Sequence, residues 1–182
     1  VRNAVPTVKD PSYFKEAFDT VQELIVKNKI LSGHDISAGG MLTTLLEMCF
    51  SNTNGGITVN LSALDEIDSV KILFNQKPGI IIQVKDEDEV ADFLLEHGIS
   101  YFSIGHPILK RSLIVTNYGE SINFDIDDLR EKWFHSSYLL DRRQCGPDYA
   151  KERFENYMNH PLEINPGTFK GSFKSLGISP ER

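Results

Sequence analysis

The sequence predicts an α+β domain in which a mixed β-sheet is flanked by helices. Apolar residues recur at helical spacing in several segments, and short β-branched runs lie between these segments. The order of predicted elements in the middle of the chain is β-α-β-β-β. Consecutive strands without intervening helices argue against a doubly wound parallel sheet, because parallel neighbours need a crossover connection.

The first predicted helix covers residues 11–28. Asp10 can cap its first amides, and Pro11 suits the first helical position because no backbone donor is needed there. Four apolar residues at helical spacing form the stripe that we expect to face the core: Phe14, Phe18, Val21 and Ile25.

A strand, a tight turn and a helix follow the first helix in that order. Residues 30–35 are predicted to form a short buried strand that runs into a glycine-containing turn, and residues 41–50 are apolar and form helix readily. The turn residues of 52–56 then precede an alternating strand over 57–61.

The next segment contains a short helix over 70–74, a strand over 79–84 and a helix that opens with four carboxylates at 86–89. Carboxylates favour the positive end of a helix dipole, so we interpret this acidic run as a solvated helix start and not as a metal site. Strands are predicted at 100–109, 112–117 and 120–124.

Two more helices precede an irregular C-terminal extension. The first carries a predicted core stripe of Ile126, Leu129, Trp133 and Leu140, and the second covers residues 147–158. Residues 159–182 contain three prolines and three glycines without a sustained period. We therefore predict one domain over 1–158 and a linker over 159–182.

Composition excludes several classes of function. The chain carries 19 Lys and Arg against 26 Asp and Glu, a net charge of -7, so neither a nucleic acid nor a membrane is an expected partner. Its apolar runs fall far short of the ~20 residues that a membrane-spanning helix needs. Cys49 and Cys145 stand in no metal-ligand spacing, which favours two ordinary thiols in a reduced, cytoplasmic compartment.

The predicted turn over 33–40 is where chemistry is concentrated. Such a turn can expose backbone amides to a phosphate while Asp35 reaches a hard cation through oxygen. The pattern is neither a Walker loop nor a dinucleotide-binding motif, so the residues alone leave open a structural turn with a capping Ser or Asp. No Gly-x-Ser-x-Gly elbow is present, and the five histidines are scattered along the chain.

Several motifs resemble the second synthetase half of phosphoribosylformylglycinamidine synthase. His34-Asp35-Ile36-Ser37-Ala38-Gly39-Gly40 is similar to that family's His-Asp-x-Ser-Asp/Ala-Gly-Gly signature. Further matches lie in the same order along the chain: 45–50, Leu73-Phe74-Asn75, 78–84, the Trp133 helix with 140–145, and the connector Asn165-Pro166-Gly167.

The resemblance implies a large enzyme of purine biosynthesis, a carbon-nitrogen ligase that uses ATP and takes an amido group from glutamine. The chain would be the C-terminal domain of the second synthetase half, of the aminoimidazole ribonucleotide synthetase type, plus a linker toward a glutaminase domain. Its partners would be the remaining synthetase and glutaminase domains of one polypeptide. Its first residue, Val1, fits a piece of a larger protein.

The same resemblance implies a magnesium-nucleotide site for Mg²⁺ with ATP or ADP. Carried over to this sequence, Asp35 would be the metal ligand, and Ser37, Gly39 and Gly40 would contact the nucleotide. No catalytic residue is assigned, and the isolated chain is expected to be inactive. Ala38 replaces an Asp found in many relatives, so any auxiliary role of that carboxylate is absent.

Three alternatives stay open. The nucleotide site can be structural instead of catalytic, as is one of the two pseudo-symmetric sites in the family. The chain can be a stand-alone, ferredoxin-like module that binds a small regulatory molecule, although the Asp-x-Ser at the glycine turn argues against that. It can also be another member of the aminoimidazole ribonucleotide synthetase superfamily, such as a selenophosphate or thiamine-phosphate enzyme.

Overall fold

This computed structural model describes residues 8–156 and 171–172. The chain divides into two compact units, Val1–Ser137 and Tyr138–Arg182. The linker predicted for 159–182 lies outside the described residues apart from 171 and 172, so that boundary stays a prediction.

The described elements include both helices and strands. In chain order they are α1 (Pro11–Val26), β1 (Ile30–Ile36), α2 (Gly40–Phe50), β2 (Gly56–Asn60), a 3-10 turn (Ser62–Leu64), α3 (Ser69–Leu73), β3 (Gly79–Val84), α4 (Glu87–Glu96), β4 (Gly105–Ile108), β5 (Ser112–Asn117), β6 (Glu120–Asp125), α5 (Ile126–Gln144) and α6 (Pro147–Glu155). The three strands β4, β5 and β6 follow one another without an intervening helix, as is typical of an α+β fold. The predicted fold class is confirmed.

The described strands of the first unit form two sheets. A four-stranded sheet has the order β4-β2-β5-β6, and it is mixed because β2 and β5 are parallel while the other pairs are antiparallel. β1 and β3 form a separate antiparallel pair in which Asp35 lies opposite Ile80. The sequence predicted the mixed sheet but not this separate pair.

The main core lies between α2 and the four-stranded sheet. Its buried members come from the helix, from the central strands, from the residue that follows β2 and from α3, and they include Leu45, Leu46, Phe50, Val59, Leu61, Leu73, Leu113 and Val115. Fully burying one such side chain contributes about 1.5–3 kcal/mol, so this contact fixes α2 against the sheet.

A second core lies where α1 and α4 meet the β1-β3 pair. Leu24, Val90, Leu94 and Ile99 are buried there, with Ile82 and Val84 of β3 packed against them. The predicted α1 stripe is wrong in part: Val21 is buried, but Phe14, Phe18 and Ile25 are exposed. The helix turns a neighbouring face, which includes Thr20 and Leu24, toward this core.

The predicted stripe of α5 is also wrong in part. Ile126 is buried, whereas Trp133 and Leu140 are exposed, and the buried positions of the helix include the charged residue Arg130. The Trp133 ring lies 5.7 Å from that of Phe50, a contact at the rim of the core. Among the described residues, no helix is long and apolar enough to cross a membrane.

The second unit contains the end of α5 and all of α6. The Tyr138 ring stacks on Phe154 with centroids 4.7 Å apart, and Arg153 forms an ion pair with Asp141 at 3.2 Å. These two contacts join the end of α5 to α6.

Candidate functional site

The motif residues lie at the turn from β1 to α2. Asp35 is the next-to-last residue of β1, and α2 begins at Gly40. The Asp35 side chain is 73% exposed, and Ser37 is exposed two residues later. The structure therefore presents a carboxylate and a hydroxyl to solvent at the place where the sequence predicted a site.

Two glycines allow the chain to turn here. Gly39 has φ +90° and Gly40 has φ +72°, conformations that L side chains rarely adopt. The Gly40 amide donates a hydrogen bond to the Ser37 carbonyl oxygen at 3.0 Å, which closes the turn. The N-terminus of α2 has no side-chain cap, since Gly39 occupies the cap position.

Gly40 is buried, and it contacts the end of α3. A β-carbon on Gly40 would stand 2.5 Å from the Leu73 carbonyl oxygen and 2.8 Å from the Phe74 backbone. This close approach explains why a glycine is needed at 40 whether or not a ligand binds, and it places two of the sequence motifs in direct contact. The predicted role of Gly40 toward a nucleotide stays a prediction.

A buried hydroxyl joins the two sides of the turn. Thr44 Oγ1 lies 3.0 Å from the carbonyl oxygen of Asp35 and 3.2 Å from that of Gly40, as a donor to both. The Thr44 side chain is buried, at 1% exposure. Sequence reasoning missed this residue, although a β-branched hydroxyl residue inside an apolar helix is a signal that could have identified it.

His34 lies between two carboxylate residues. Its Nδ1 is 2.9 Å from the carbonyl oxygen of Asp35 and 3.5 Å from Asp35 Oδ1, while its Nε2 is 3.3 Å from Glu47 Oε2. His34 and Glu47 also line a shallow pocket with Phe50 and Trp133. Glu47 was not predicted as a site residue, because its distance from His34 depends on how α2 packs on β1.

The turn fits a magnesium ion to which it would supply one ligand among several. Within the residues that the structure describes, no three His, Cys, Asp or Glu side chains gather into a group that could hold a metal. Mg²⁺ usually keeps several waters and binds one or two carboxylates together with phosphate oxygens. One exposed carboxylate such as that of Asp35 is therefore a sufficient contribution from this domain to the ligands of the ion. Asp86 of the acidic run accepts a hydrogen bond from the Glu89 amide, as a helix cap does.

Comparison with known proteins identifies relatives of this fold. A family model described as AIR synthase related protein, C-terminal domain, matches residues 2–116. The chain is 33% identical over 163 residues to "Probable membrane antigen 75" of Saimiriine herpesvirus 2 (strain 11), which covers 85% of this chain and 12% of the relative. It is 29% identical over 193 residues to "Probable phosphoribosylformylglycinamidine synthase, chloroplastic/mitochondrial" of Arabidopsis thaliana, and this match covers 100% of this chain and 13% of the relative.

A solved structure of similar fold is "T. maritima PurL complexed with ATP". Its TM-score is 0.61 at 18% identity, and the match covers 71% of this chain and 23% of that one. Matching structures of T. maritima PurL are also complexed with FGAR and with ADP. The chain spans about an eighth of the length of the two curated relatives.

These matches confirm the resemblance that the motifs indicated, and they do not favour a stand-alone regulatory module. The family model covers more than half of the residues and includes the whole turn from β1 to α2. The chain belongs to the AIR synthase related protein family, as a C-terminal domain of that type.

Proposed function

We propose that this chain is one domain of a ligase that converts formylglycinamide ribonucleotide to its amidine in purine biosynthesis, with ATP and with glutamine as amido donor. The name of the Arabidopsis relative and the PurL complexes with ATP, ADP and FGAR support this assignment. The remaining synthetase domains and a glutaminase domain are its proposed partners. We place it in the cytoplasm, a reducing compartment in which Cys49 and Cys145 would remain the free thiols that the structure contains.

The proposed role of this domain is to contribute part of a magnesium-nucleotide site. The observation that carries it is the exposed Asp35 carboxylate at the end of β1, four residues before Gly39 of the Gly39-Gly40 turn. Asp35 would supply one oxygen ligand to Mg²⁺, and Ser37 would donate a hydrogen bond to the nucleotide. Gly39 and Gly40 would keep side chains out of the way of the phosphates.

The bound cation would supply positive charge that neutralises the phosphate oxygens. Asp35 would orient that cation on the surface of this domain, while the other ligands would come from neighbouring domains. The single exposed carboxylate that Asp35 contributes at this turn is consistent with such a division of the ligands. A site built in this way binds nucleotide only when the domains are assembled.

The viral relative favours a second candidate function. A protein named as a probable membrane antigen is 33% identical to this chain, which supports a domain that keeps the fold without taking part in synthesis. The two candidates differ in one property of the turn: only the ligase domain needs Asp35 to hold a magnesium-nucleotide.

Calorimetric titration of the complete polypeptide with Mg·ADP tests the proposal. Asp35→Asn should weaken binding at this site at least about tenfold, because it removes the charge of a metal ligand. Asp92→Asn is the matched control, since it makes the same change at an exposed position of α4 and should leave binding unchanged. Absence of Mg·ADP binding in the unaltered polypeptide, or equal binding by Asp35→Asn, would support the second candidate.

A further inference from the structure

We propose that Thr44 is a positioning residue that holds Asp35 in place for the magnesium-nucleotide. This inference rests on the proposed function. It concerns a side chain that is buried and does not touch solvent, so Thr44 acts through the backbone of the turn and not on the ligand itself.

The geometry of the Thr44 hydroxyl carries the proposal. Oγ1 reaches back across nine residues to the Asp35 carbonyl oxygen, at 3.0 Å, and also lies 3.2 Å from the Gly40 carbonyl oxygen. One hydroxyl proton is therefore shared between the end of β1 and the first turn of α2. Because both acceptors are backbone atoms, this contact constrains the direction in which the chain leaves the strand.

The turn needs such a constraint because two adjacent glycines form it. Gly39 and Gly40 have access to many backbone conformations, and each has a positive φ in the folded chain. Gly40 is fixed from one side by its contact with Leu73. Thr44 fixes the opposite end, where Asp35 projects its carboxylate into solvent.

A simpler explanation of Thr44 has to be separated from this one. Threonine inside a helix often donates to the carbonyl oxygen four residues earlier, and the contact with Gly40 is of that type. If that local bond were the whole function of the hydroxyl, its loss would lower stability without changing how Asp35 meets a ligand. Nucleotide affinity of the folded protein distinguishes the two.

The test uses three variants in the complete polypeptide. Thr44→Val keeps the shape of the side chain and removes the hydroxyl, whereas Thr44→Ser keeps the hydroxyl. Thr116→Val is the matched control, because Thr116 Oγ1 also donates to a backbone carbonyl oxygen at 3.0 Å, that of Val59, but within the four-stranded sheet. Each variant is titrated with Mg·ADP at a temperature at which its unfolding curve shows it to be folded.

We expect Thr44→Val to weaken Mg·ADP binding about tenfold, the lower end of the effect of residues that support a metal ligand. Thr44→Ser should restore affinity to within about threefold, and Thr116→Val should bind as the unaltered protein does. Hydrogen exchange should quicken over residues 36–43 in Thr44→Val and not in Thr116→Val, since only the first loses the bond across the turn.

The outcomes separate this inference from the proposed function. If the unaltered protein binds Mg·ADP and Thr44→Val binds it equally well, the positioning role is overturned and the proposed function stands. Equal losses of Mg·ADP affinity in Thr44→Val and Thr116→Val would likewise overturn the positioning role and show that the Thr44 hydroxyl contributes only to stability. If the unaltered protein binds no Mg·ADP, the proposed function fails, and the inference fails with it.

Discussion

The carbonyl oxygen of Leu73 occupies the space beside Gly40 that a β-carbon would need, 2.5 Å from where that atom would stand. α2 therefore starts in direct backbone contact with the end of α3. Gly40 also has φ +72°, so a side chain at this position would meet both strain in its own backbone and a clash with a neighbour. The two effects can be measured separately.

Gly40→Ala should lower the free energy of unfolding by about 3 kcal/mol, the sum of left-handed backbone strain and overpacking. Gly98→Ala is the matched control, because Gly98 has a similar φ of +67° with nothing within 4 Å of the added carbon. Gly98→Ala should lower the free energy of unfolding by only about 1 kcal/mol. Urea denaturation measures both, and equal losses would show that the contact with Leu73 costs nothing.

Arg111 should be a second residue on which stability depends. Its Nη1 donates to the carbonyl oxygens of Cys49 and Gly55, at 2.9 and 3.3 Å, and its Nε donates to Asp127 Oδ1 at 3.0 Å. One guanidinium thus joins the end of α2, the loop before β2 and the start of α5.

Arg111→Lys should destabilise the protein by about 2 kcal/mol, because a lysine ammonium lacks the planar fork that reaches these three acceptors. Lys110→Ala, at the exposed neighbouring position, should change stability by less than about 0.5 kcal/mol. Thermal unfolding of the two variants checks the difference. Tolerance of lysine at 111 would mean that water or neighbouring donors satisfy the two carbonyl groups.

Much of the local structure follows from local sequence. Asp10 and Pro11 predict the start of α1 because capping is decided by adjacent residues, and Asp10 Oδ1 does accept from the Ser12 and Tyr13 amides. The turn before α2 is predictable for the same reason, since Gly39 and Gly40 supply conformations that other residues avoid.

Long-range contacts could not be predicted in the same way. Apolar spacing shows that α1 is amphipathic, but the exposure of Phe14 and Phe18 depends on how α4 packs beside it. The pairing of β1 with β3 joins strands that are separated by two helices and a strand. At the candidate site, Asp35 and Ser37 come from a contiguous motif, whereas Thr44 and Glu47 act through contacts that only the packing of α2 creates.

Cys145 should react slowly with alkylating reagents near neutral pH. Its thiol donates a hydrogen bond to Asp141 at 3.2 Å, and this bond, with partial burial and the carboxylate charge, raises the pKa of the Cys145 thiol. A raised thiol pKa means less thiolate at a given pH, and thiolate is the reactive form.

The pH dependence of alkylation tests the pKa of Cys145. Asp141→Asn should move the rate profile to lower pH, because the carboxylate that opposes ionisation is gone. Arg153→Gln should move the profile to higher pH, because Arg153 lowers the thiol pKa. Peptide mass spectrometry separates this signal from Cys49, whose thiol pKa is raised by burial. A profile that is unchanged in both variants would contradict the assignment.

Asp35→Asn should leave the fold of the nucleotide-free protein almost unchanged. The side chain is 73% exposed, and the buried Thr44 hydroxyl contacts the backbone of Asp35 and not its carboxylate. The free energy of unfolding should therefore change by less than about 1 kcal/mol, the range of most surface substitutions. A larger loss in urea denaturation, with Mg·ADP binding intact, would instead identify Asp35 as a structural residue of the turn.

The 182-residue chain alone should form no amidine from formylglycinamide ribonucleotide, ATP and glutamine. Phosphoryl transfer needs several groups placed around the reacting phosphate, and among the described residues the site offers a single exposed carboxylate without a metal-binding group. Mass spectrometry of the product measures the reaction, with the complete polypeptide as the positive control. Amidine formation by the isolated chain at the rate of that control would show that the whole active site lies within these residues.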